Sequence, residues 1–294
     1  MLIKDKLRFR KDFTPVETKI AEYILKNELE IENYSTREIA KATFTSPSAV
    51  IRLCHKLGFD GFSDFKKRFL EETKYLSSGE KVDVNFPFKK QDTVRQVIGE
   101  IGDLYQNTLK DTQSLLDPIT MMHCRDLIEK AGTIYIYSFG TYLTQAYSFK
   151  EKMMKVGKKV VISDVLNYQL YEAQCMNKHD LAIIISYSGE TKKCLKIADI
   201  CKDRDIKVIS ITSLGENSLS KLSNEVINIS TKETLYQNIA DYSIHISVIF
   251  ILDLLYSIVF QNNFDKYYER KVSLAKELED KRTSQNSLIN KTVF

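Results

Sequence analysis

The chain has 294 residues, 43% hydrophobic and 28% charged, which is apolar material enough for two domain cores and excludes a disordered or fibrous protein. A net charge of +4 is too small to argue for nucleic acid by itself, although Lys4 to Lys11 gathers five basic residues against Asp5 alone. Five cysteines without a CxxC pair or metal spacing read as buried thiols of a reducing cytoplasm and exclude a disulfide scaffold. The N-terminus is charged from Lys4 onward, unlike a signal peptide.

Thr14-Pro15 opens the first predicted helix, with Val16, Ile20, Tyr23, Ile24 and Asn27 along one face. Ser35-Thr36-Arg37-Glu38 is a capping box that starts a short second helix and carries Ile39 and Ala40 inward. Phe44 and Thr45 make a tight connection. Ser46-Pro47 then sets a cap before a proline in the first helical position, where its missing N–H is not needed. The third helix turns Val50, Leu53, Cys54 and Leu57 inward at i, i+3, i+4, i+7 and stops at Gly58. Its opposite face carries Ser48, Arg52 and His55, flanked by Ile51 and Lys56. Helix, tight turn and a cationic second helix is the layout of a helix-turn-helix, whose second helix enters the major groove, where Arg52 suits guanine or phosphate. For a single amphipathic helix, a merely solvated face is the commoner explanation of Arg52 and Lys56; the trihelical arrangement reverses that weighting. Ser63 caps a further helix in which Phe62, Phe65 and Phe69 repeat as core, leaving Lys66, Lys67 and Arg68 within reach of backbone phosphates.

The run from Ser35 through Phe65, STREIAKATFTSPSAVIRLCHKLGFDGFSDF, resembles the N-terminal DNA-binding domain of the RpiR family of bacterial transcriptional regulators, a likeness that covers residues 1–75. It implies a double-stranded DNA operator as partner and Thr45, Ser46, Ser48, Arg52, His55, Lys56, Lys66 and Lys67 as the contact residues.

Ser77 to Asp92, with Ser77-Ser78-Gly79 and Pro87 between phenylalanines, reads as a linker, giving a helix-turn-helix domain at 1–76, a linker at 77–92, a second domain at 93–281 and a mobile polar tail at 282–294. Thr93 to Leu116 is helical through Val97, Ile101, Leu104 and Leu109, and Pro118 opens a helix to Ala131. Short apolar strands follow at Ile134–Tyr137, Val160–Ser163, Leu181–Ser186, Val208–Thr212 and Val226–Ile229, with helical segments between most of them. The predicted fold is therefore an all-α helix-turn-helix domain followed by an α/β doubly wound parallel sheet. Within LAIIISYSGET, Leu181 to Thr191, a strand buried on both faces gives way to Ser186, Ser188, Gly189 and Thr191 and then to a helix from Lys192. Free backbone N–H groups and a positive helix end make such a junction an anion site, at the strand edge where doubly wound sheets bind ligands. Taken alone, Ser188 acting only as a helix cap is an equal reading. Glu190 fits a first-turn charge better than a base. Ile246 to Phe260 spans about 15 residues, short of the roughly 20 a membrane needs, and contains Asp253, so a core or interface helix fits better. His245 and Asp253 on that helix read as satisfied polar residues, Glu233 and Tyr236 lie in a loop bordering the pocket, and Asp265 to Lys281 is a charged amphipathic helix.

This second half, about residues 95 to 262, resembles the sugar isomerase (SIS) domain, which in RpiR regulators senses phosphosugars. Ser186, Ser188, Gly189, Glu190 and Thr191 match the family's phosphate-binding signature in place. The loop after the first strand departs from the family's glycine, any residue, glycine, any residue, serine: this chain has Ser138-Phe139-Gly140-Thr141-Tyr142, which keeps the phosphate half and narrows the sugar half with the Tyr142 ring. The resemblance implies a cytoplasmic, non-enzymatic transcriptional regulator of carbohydrate metabolism without cofactor, metal or membrane contact. A sugar phosphate held by Ser138, Gly140, Thr141, Tyr142 and the Ser186 to Thr191 loop would modulate operator binding by a homodimer or higher even oligomer. Two alternatives stand beside it: a phosphosugar isomerase or transferase, and a ligand-blind DNA-binding dimer in which the SIS domain only assembles the protein.

Overall fold

A computed structural model describes residues 1–10, 12–77, 82–140, 142–163, 165 and 167–278; the expected polar tail at 282–294 lies outside them. The N-terminal unit consists of α1 (Ile3–Phe9), α2 (Pro15–Asn27), α3 (Thr36–Thr43), α4 (Pro47–Lys56) and α5 (Phe62–Ser77). Capping boxes start α2, through Thr14 and Glu17, and α3, through Ser35 and Glu38, while Ser46 caps α4. Ile20, Ile24, Ile39, Val50, Leu53, Phe65 and Phe69 meet in one core beneath these helices.

Two sequence expectations change here, and the basic run noted at the N-terminus gains a structure. Val16 points outward, because the buried stripe of α2 runs through Ile20, Ala21 and Ile24. Ser63 is inside the first turn of α5 and not its cap: the Phe65 N–H already reaches the Gly61 carbonyl. The basic run at the N-terminus is not a free arm. It folds as α1, whose first N–H groups, at Ile3 and Lys4, are held by the Glu72 carboxylate at 2.7 and 2.8 Å. Three of its cations are paired within the molecule, Lys4 on Glu28, Lys6 on Glu216 and Arg10 on Glu22.

The C-terminal unit begins with α6 (Val94–Ser114) and α7 (Pro118–Lys130) and then alternates: β1 (Thr133–Ser138), α8 (Leu143–Lys155), β2 (Lys159–Ile162), α9 (Tyr168–Cys175), β3 (Leu181–Ile185), α10 (Lys192–Asp203), β4 (Lys207–Ser213), α11 (Ser218–Leu222), β5 (Glu225–Ile229), α12 (Tyr242–Asn262) and α13 (Phe264–Leu278). All strand pairs are parallel, in the order β2-β1-β3-β4-β5. Alternate strand residues feed two cores, as a pleated sheet requires. Ile134, Ile136, Ile183, Ile209 and Ile227 pack against α7, α8 and α12, and Tyr137, Ala182, Ile184 and Val208 against α9, α10 and α11. Strand β3 is buried at every residue, which is what its three consecutive isoleucines encode.

Helix α12 is longer than the sequence suggested. Its 21 residues are long and apolar enough to cross a membrane by length and composition. Here it lies along the sheet, with Ile244, Val248, Ile251, Leu252, Leu255 and Val259 in the larger core and Asp253 paired to Lys152.

The two units touch through polar groups. The Tyr75 hydroxyl, near the end of α5, donates to Asp111 of α6 at 2.8 Å and accepts the Thr231 N–H at 2.7 Å, just beyond β5. Lys232 pairs with the same Asp111 at 3.2 Å. Asn85, between α5 and α6, is fastened to the same loop: it accepts the Thr234 N–H at 2.7 Å through its side chain and the Ile239 N–H at 2.9 Å through its carbonyl.

Candidate functional site

In the strand order 2-1-3-4-5 the chain leaves β1 in one direction and β3 in the other, so a crevice opens between their carboxyl ends, the place where doubly wound sheets bind ligands. Ser138 pairs with Ile185 at the last rung, which sets the loop after β1 beside the loop after β3. What each helix that starts at this edge does with its free N–H groups decides where an anion can sit. The start of α11 is capped by Asn217 and also receives Glu190, whose carboxylate accepts the Ser218 N–H at 2.8 Å. The start of α12 receives Glu233, which accepts the Ile244 N–H at 3.0 Å. Among the described residues no side chain caps α10, where Thr191 stands at the cap, nor α8 or α9, and of these three α10 is the one that follows the serine-rich loop after β3.

The loop beneath α10 is held by its own hydroxyls. Ser186, buried, donates to the Thr191 hydroxyl at 3.1 Å, while the Ser188 hydroxyl accepts the Glu190 N–H at 3.2 Å. Ser188 therefore shapes the turn and is not the cap of α10. Gly189 sits at φ +66°, a left-handed conformation, and a Cβ there would overlap the Asn217 side chain, with the amide nitrogen 2.6 Å away. A glycine is thus required where the loop passes Asn217, and the N–H groups of the first turn of α10 stay open toward the crevice. Of the residues singled out in this loop, Ser186, Ser188, Gly189 and Thr191 come together, whereas Glu190 turns away to α11.

The first loop is arranged differently. The Ser138 hydroxyl donates to the Ile185 carbonyl at 3.0 Å and is consumed within the sheet. Gly140 has φ +144°, and Thr141 lies outside the described residues. Tyr142 begins α8 without capping it, packs partly buried against the larger core and meets the His245 ring edge to face at 5.6 Å. Burial pushes the Tyr142 phenol up to about 12, so it stays a neutral donor. The ring therefore lies between the loop after β1 and the first turn of α12.

On the helix-turn-helix the expected contact residues divide into two groups. Ser48, Arg52 and Lys67 are exposed and make no side-chain hydrogen bond or ion pair among the described residues. The others have internal work: Thr45 bonds Thr43 at 2.8 Å, Ser46 caps α4, and His55 meets the Phe59 carbonyl at 3.0 Å. Lys56 pairs with Glu17 at 2.9 Å, and Lys66 donates to the carbonyls of Glu32 and Tyr34 at 2.7 and 3.0 Å. Phe44, which sequence reading passed over as a connection, is 94% exposed at φ +54° in the turn before α4. An aromatic residue at a left-handed turn position was the available signal.

A cleft also opens between α1, α5 and the β4 side of the sheet. Several of its charges pair with one another, Lys6 and Lys221 on Glu216 and Arg68 on Asp64.

Comparison with known proteins follows the same division of the chain. Residues 1–75 match the helix-turn-helix domain of the rpiR family, and residues 127–257 match the SIS domain. An uncharacterised HTH-type transcriptional regulator of Clostridium perfringens is 29% identical over 260 residues, 88% of this chain and 92% of that protein. The Vibrio vulnificus NanR protein complexed with ManNAc-6P has the same fold, with a TM-score of 0.58 at 20% identity over 94% of this chain and 98% of that one. The sugar isomerase domain of an RpiR transcription factor from Sphaerobacter thermophilus matches with a TM-score of 0.55 at 12% identity, over 62% of this chain and 99% of that one.

Proposed function

The chain belongs to the RpiR family, an rpiR-type helix-turn-helix joined to a SIS domain, and from that premise we propose a transcriptional regulator whose operator affinity is set by a phosphorylated sugar bound between β1 and β3. The observation that carries this reading is the open N-terminus of α10 above Ser186, Ser188, Gly189 and Thr191. A phosphate there gains the first-turn N–H groups, neutral hydroxyl donors and the helix-end field together. On the DNA side, Arg52 and Ser48 offer an unencumbered face on α4 to base edges, and Lys67 offers a backbone contact. Lys56 and Lys66 act chiefly by fixing the domain's shape.

The protein is not an enzyme in this reading. Its assembly is a homodimer or higher even oligomer, since helix-turn-helix readers engage paired half-sites about 34 Å apart. Val94, Ile98 and Tyr105 lie exposed along α6, with Ile101 half-buried on the same stripe, a surface suited to a second copy. Its site of action is the cytoplasm. Selection of genomic fragments by the purified protein, with and without sugar phosphates, tests the proposal: recovery of discrete sites that one sugar phosphate alters supports it. Turnover of a sugar phosphate would replace it with the isomerase or transferase reading.

A further inference from the structure

The turn between α3 and α4 holds a side chain that the fold does not use. Phe44 is the most exposed large apolar side chain among the described residues, at 94%, and it takes no part in the core beneath the helix-turn-helix. Its backbone closes α3. The Thr45 N–H reaches the Ala40 carbonyl at 2.8 Å and the Phe44 N–H the Lys41 carbonyl at 3.4 Å, the paired bonds of a Schellman turn, with Phe44 in the left-handed position at φ +54°. Glycine fits that position without strain, because at positive φ a Cβ crowds the backbone. A phenylalanine there carries the strain and, being nearly as exposed as in the unfolded chain, recovers none of it by burial. A residue that breaks a local rule without a structural return points to function.

The setting of Phe44 is that of a nucleic-acid contact. Only Thr45 and the Ser46 cap separate it from α4, and the N-terminal end of a recognition helix is the part that meets base edges in the major groove. Arg37 and Lys41 stand seven and three positions before Phe44, on one stripe of α3. With Arg52 on α4 they are exposed and make no ion pair or side-chain hydrogen bond among the described residues, so the ring belongs to a surface suited to an anionic partner. Ile51, exposed on α4 three positions from Ser48, adds a second apolar group to the same helix-turn-helix surface. Base edges in the major groove offer donors, acceptors and one apolar group, the C5-methyl of thymine. A phenyl ring has no donor or acceptor, so that methyl is the group it can read.

We propose that Phe44 is a specificity-determining residue of the operator contact, its ring packing on the C5-methyl of a thymine in the half-site. The assignment rests on the reading of α4 as the DNA-binding helix and deepens it: the half-site holds a thymine recognised through its methyl and not through its hydrogen-bonding edge. The strain of the turn is then present in the free protein and is offset when the ring leaves water on the operator.

Anisotropy titrations of the full chain test this on an operator duplex recovered by genomic selection, in which each thymine is replaced in turn by deoxyuridine, a change that removes only the methyl. At one thymine of a half-site the wild type should lose about 4-fold in affinity, the loss expected when one methyl is no longer withdrawn from water. Phe44→Gly should melt at a higher temperature than the wild type, because the strain is gone. It should nevertheless bind the unmodified duplex more weakly, by about 4-fold or more, and no longer respond to deoxyuridine at that position. Arg52→Ala should bind weakly and keep the response. Wild-type affinity in Phe44→Gly, indifference of the wild type to every deoxyuridine, or an undiminished response in Phe44→Gly overturns the assignment. So does a changed sedimentation coefficient in Phe44→Gly with unaltered DNA affinity, which would give the ring to a contact between copies. Recovery of no specific sites by the wild type, with its fold intact, instead overturns the reading of α4 on which the assignment rests.

Discussion

Replacing Gly189 with alanine tests the phosphate loop as a piece of covalent geometry. A residue with a Cβ at φ +66° pays about 1 kcal/mol relative to glycine. The added carbon also overlaps Asn217, which caps α11 by accepting the Ser220 N–H at 2.8 Å and donates to Thr212 at 3.1 Å. Displacing a capping asparagine costs about 1 kcal/mol more. Gly189→Ala should therefore lower stability by about 2 kcal/mol in urea unfolding, from the sum of these two effects. Asn217→Ala loses the cap but makes room, so the double variant should fall below Asn217→Ala by only the backbone strain, about 1 kcal/mol, and the two changes should be visibly non-additive. A Gly189→Ala protein within about 0.5 kcal/mol of the wild type, or strictly additive costs, would refute the claim that glycine is required by the passage of Asn217.

Further outcomes follow from the other contacts. Arg52→Ala should weaken specific operator binding by about 1 to 3 kcal/mol with the fold intact, measured by anisotropy; an unchanged affinity rules out the α4 face as the reader. Lys67→Ala should flatten the salt dependence of DNA binding by roughly one unit of slope, whereas Lys66→Ala should show up as lost thermal stability, because its ammonium holds the carbonyls of Glu32 and Tyr34. Tyr75→Phe leaves the partly buried Thr231 N–H without its partner and should cost about 1 kcal/mol, and it should shrink any effect of sugar phosphate on DNA affinity. For Glu233, only 4% exposed, a folded pKa of about 7 against 4.5 in the unfolded chain means stability present below about pH 4.5 and lost as the pH rises through 7, a total of about 3 kcal/mol at 1.36 kcal/mol per unit. Urea titrations at pH 5 and pH 8 should show that loss in the wild type and not in Glu233→Gln, and parallel profiles would show that the carboxyl is not buried as described.

The parts of the fold set by local rules were readable in advance. Both capping-box residues of α3, the Ser46-Pro47 start of α4 and the inward set Val50, Leu53, Cys54 and Leu57 follow from spacing alone, and the isoleucine run of β3 marks a strand covered on both faces. Helix α1 was not readable, because seven residues give too few turns for periodicity and its stability comes from Glu72, far away in sequence. The same limit applies to the sites. Ser186, Ser188, Gly189 and Thr191 are neighbours along the chain, so their grouping was visible in the sequence. That Glu190 serves α11, that Lys56 and Lys66 are already occupied, and that Glu233 serves the start of α12 depend on partners 28, 39, 34 and 11 positions away, which no local pattern records.

The central claim is that a phosphorylated sugar bound at the α10 end changes how the helix-turn-helix holds DNA. Its most direct measurement is a titration of the full chain, bound to a duplex recovered by genomic selection, with a panel of hexose phosphates at fixed ionic strength, run in parallel on Ser188→Ala. One member of the panel should shift operator affinity by about 5-fold or more, and the variant should need about 10 to 100 times more of it, the loss expected for one charge-assisted hydrogen bond of about 1.5 to 3 kcal/mol. Specific operator binding that no sugar phosphate alters would contradict the account and leave a ligand-blind DNA-binding protein.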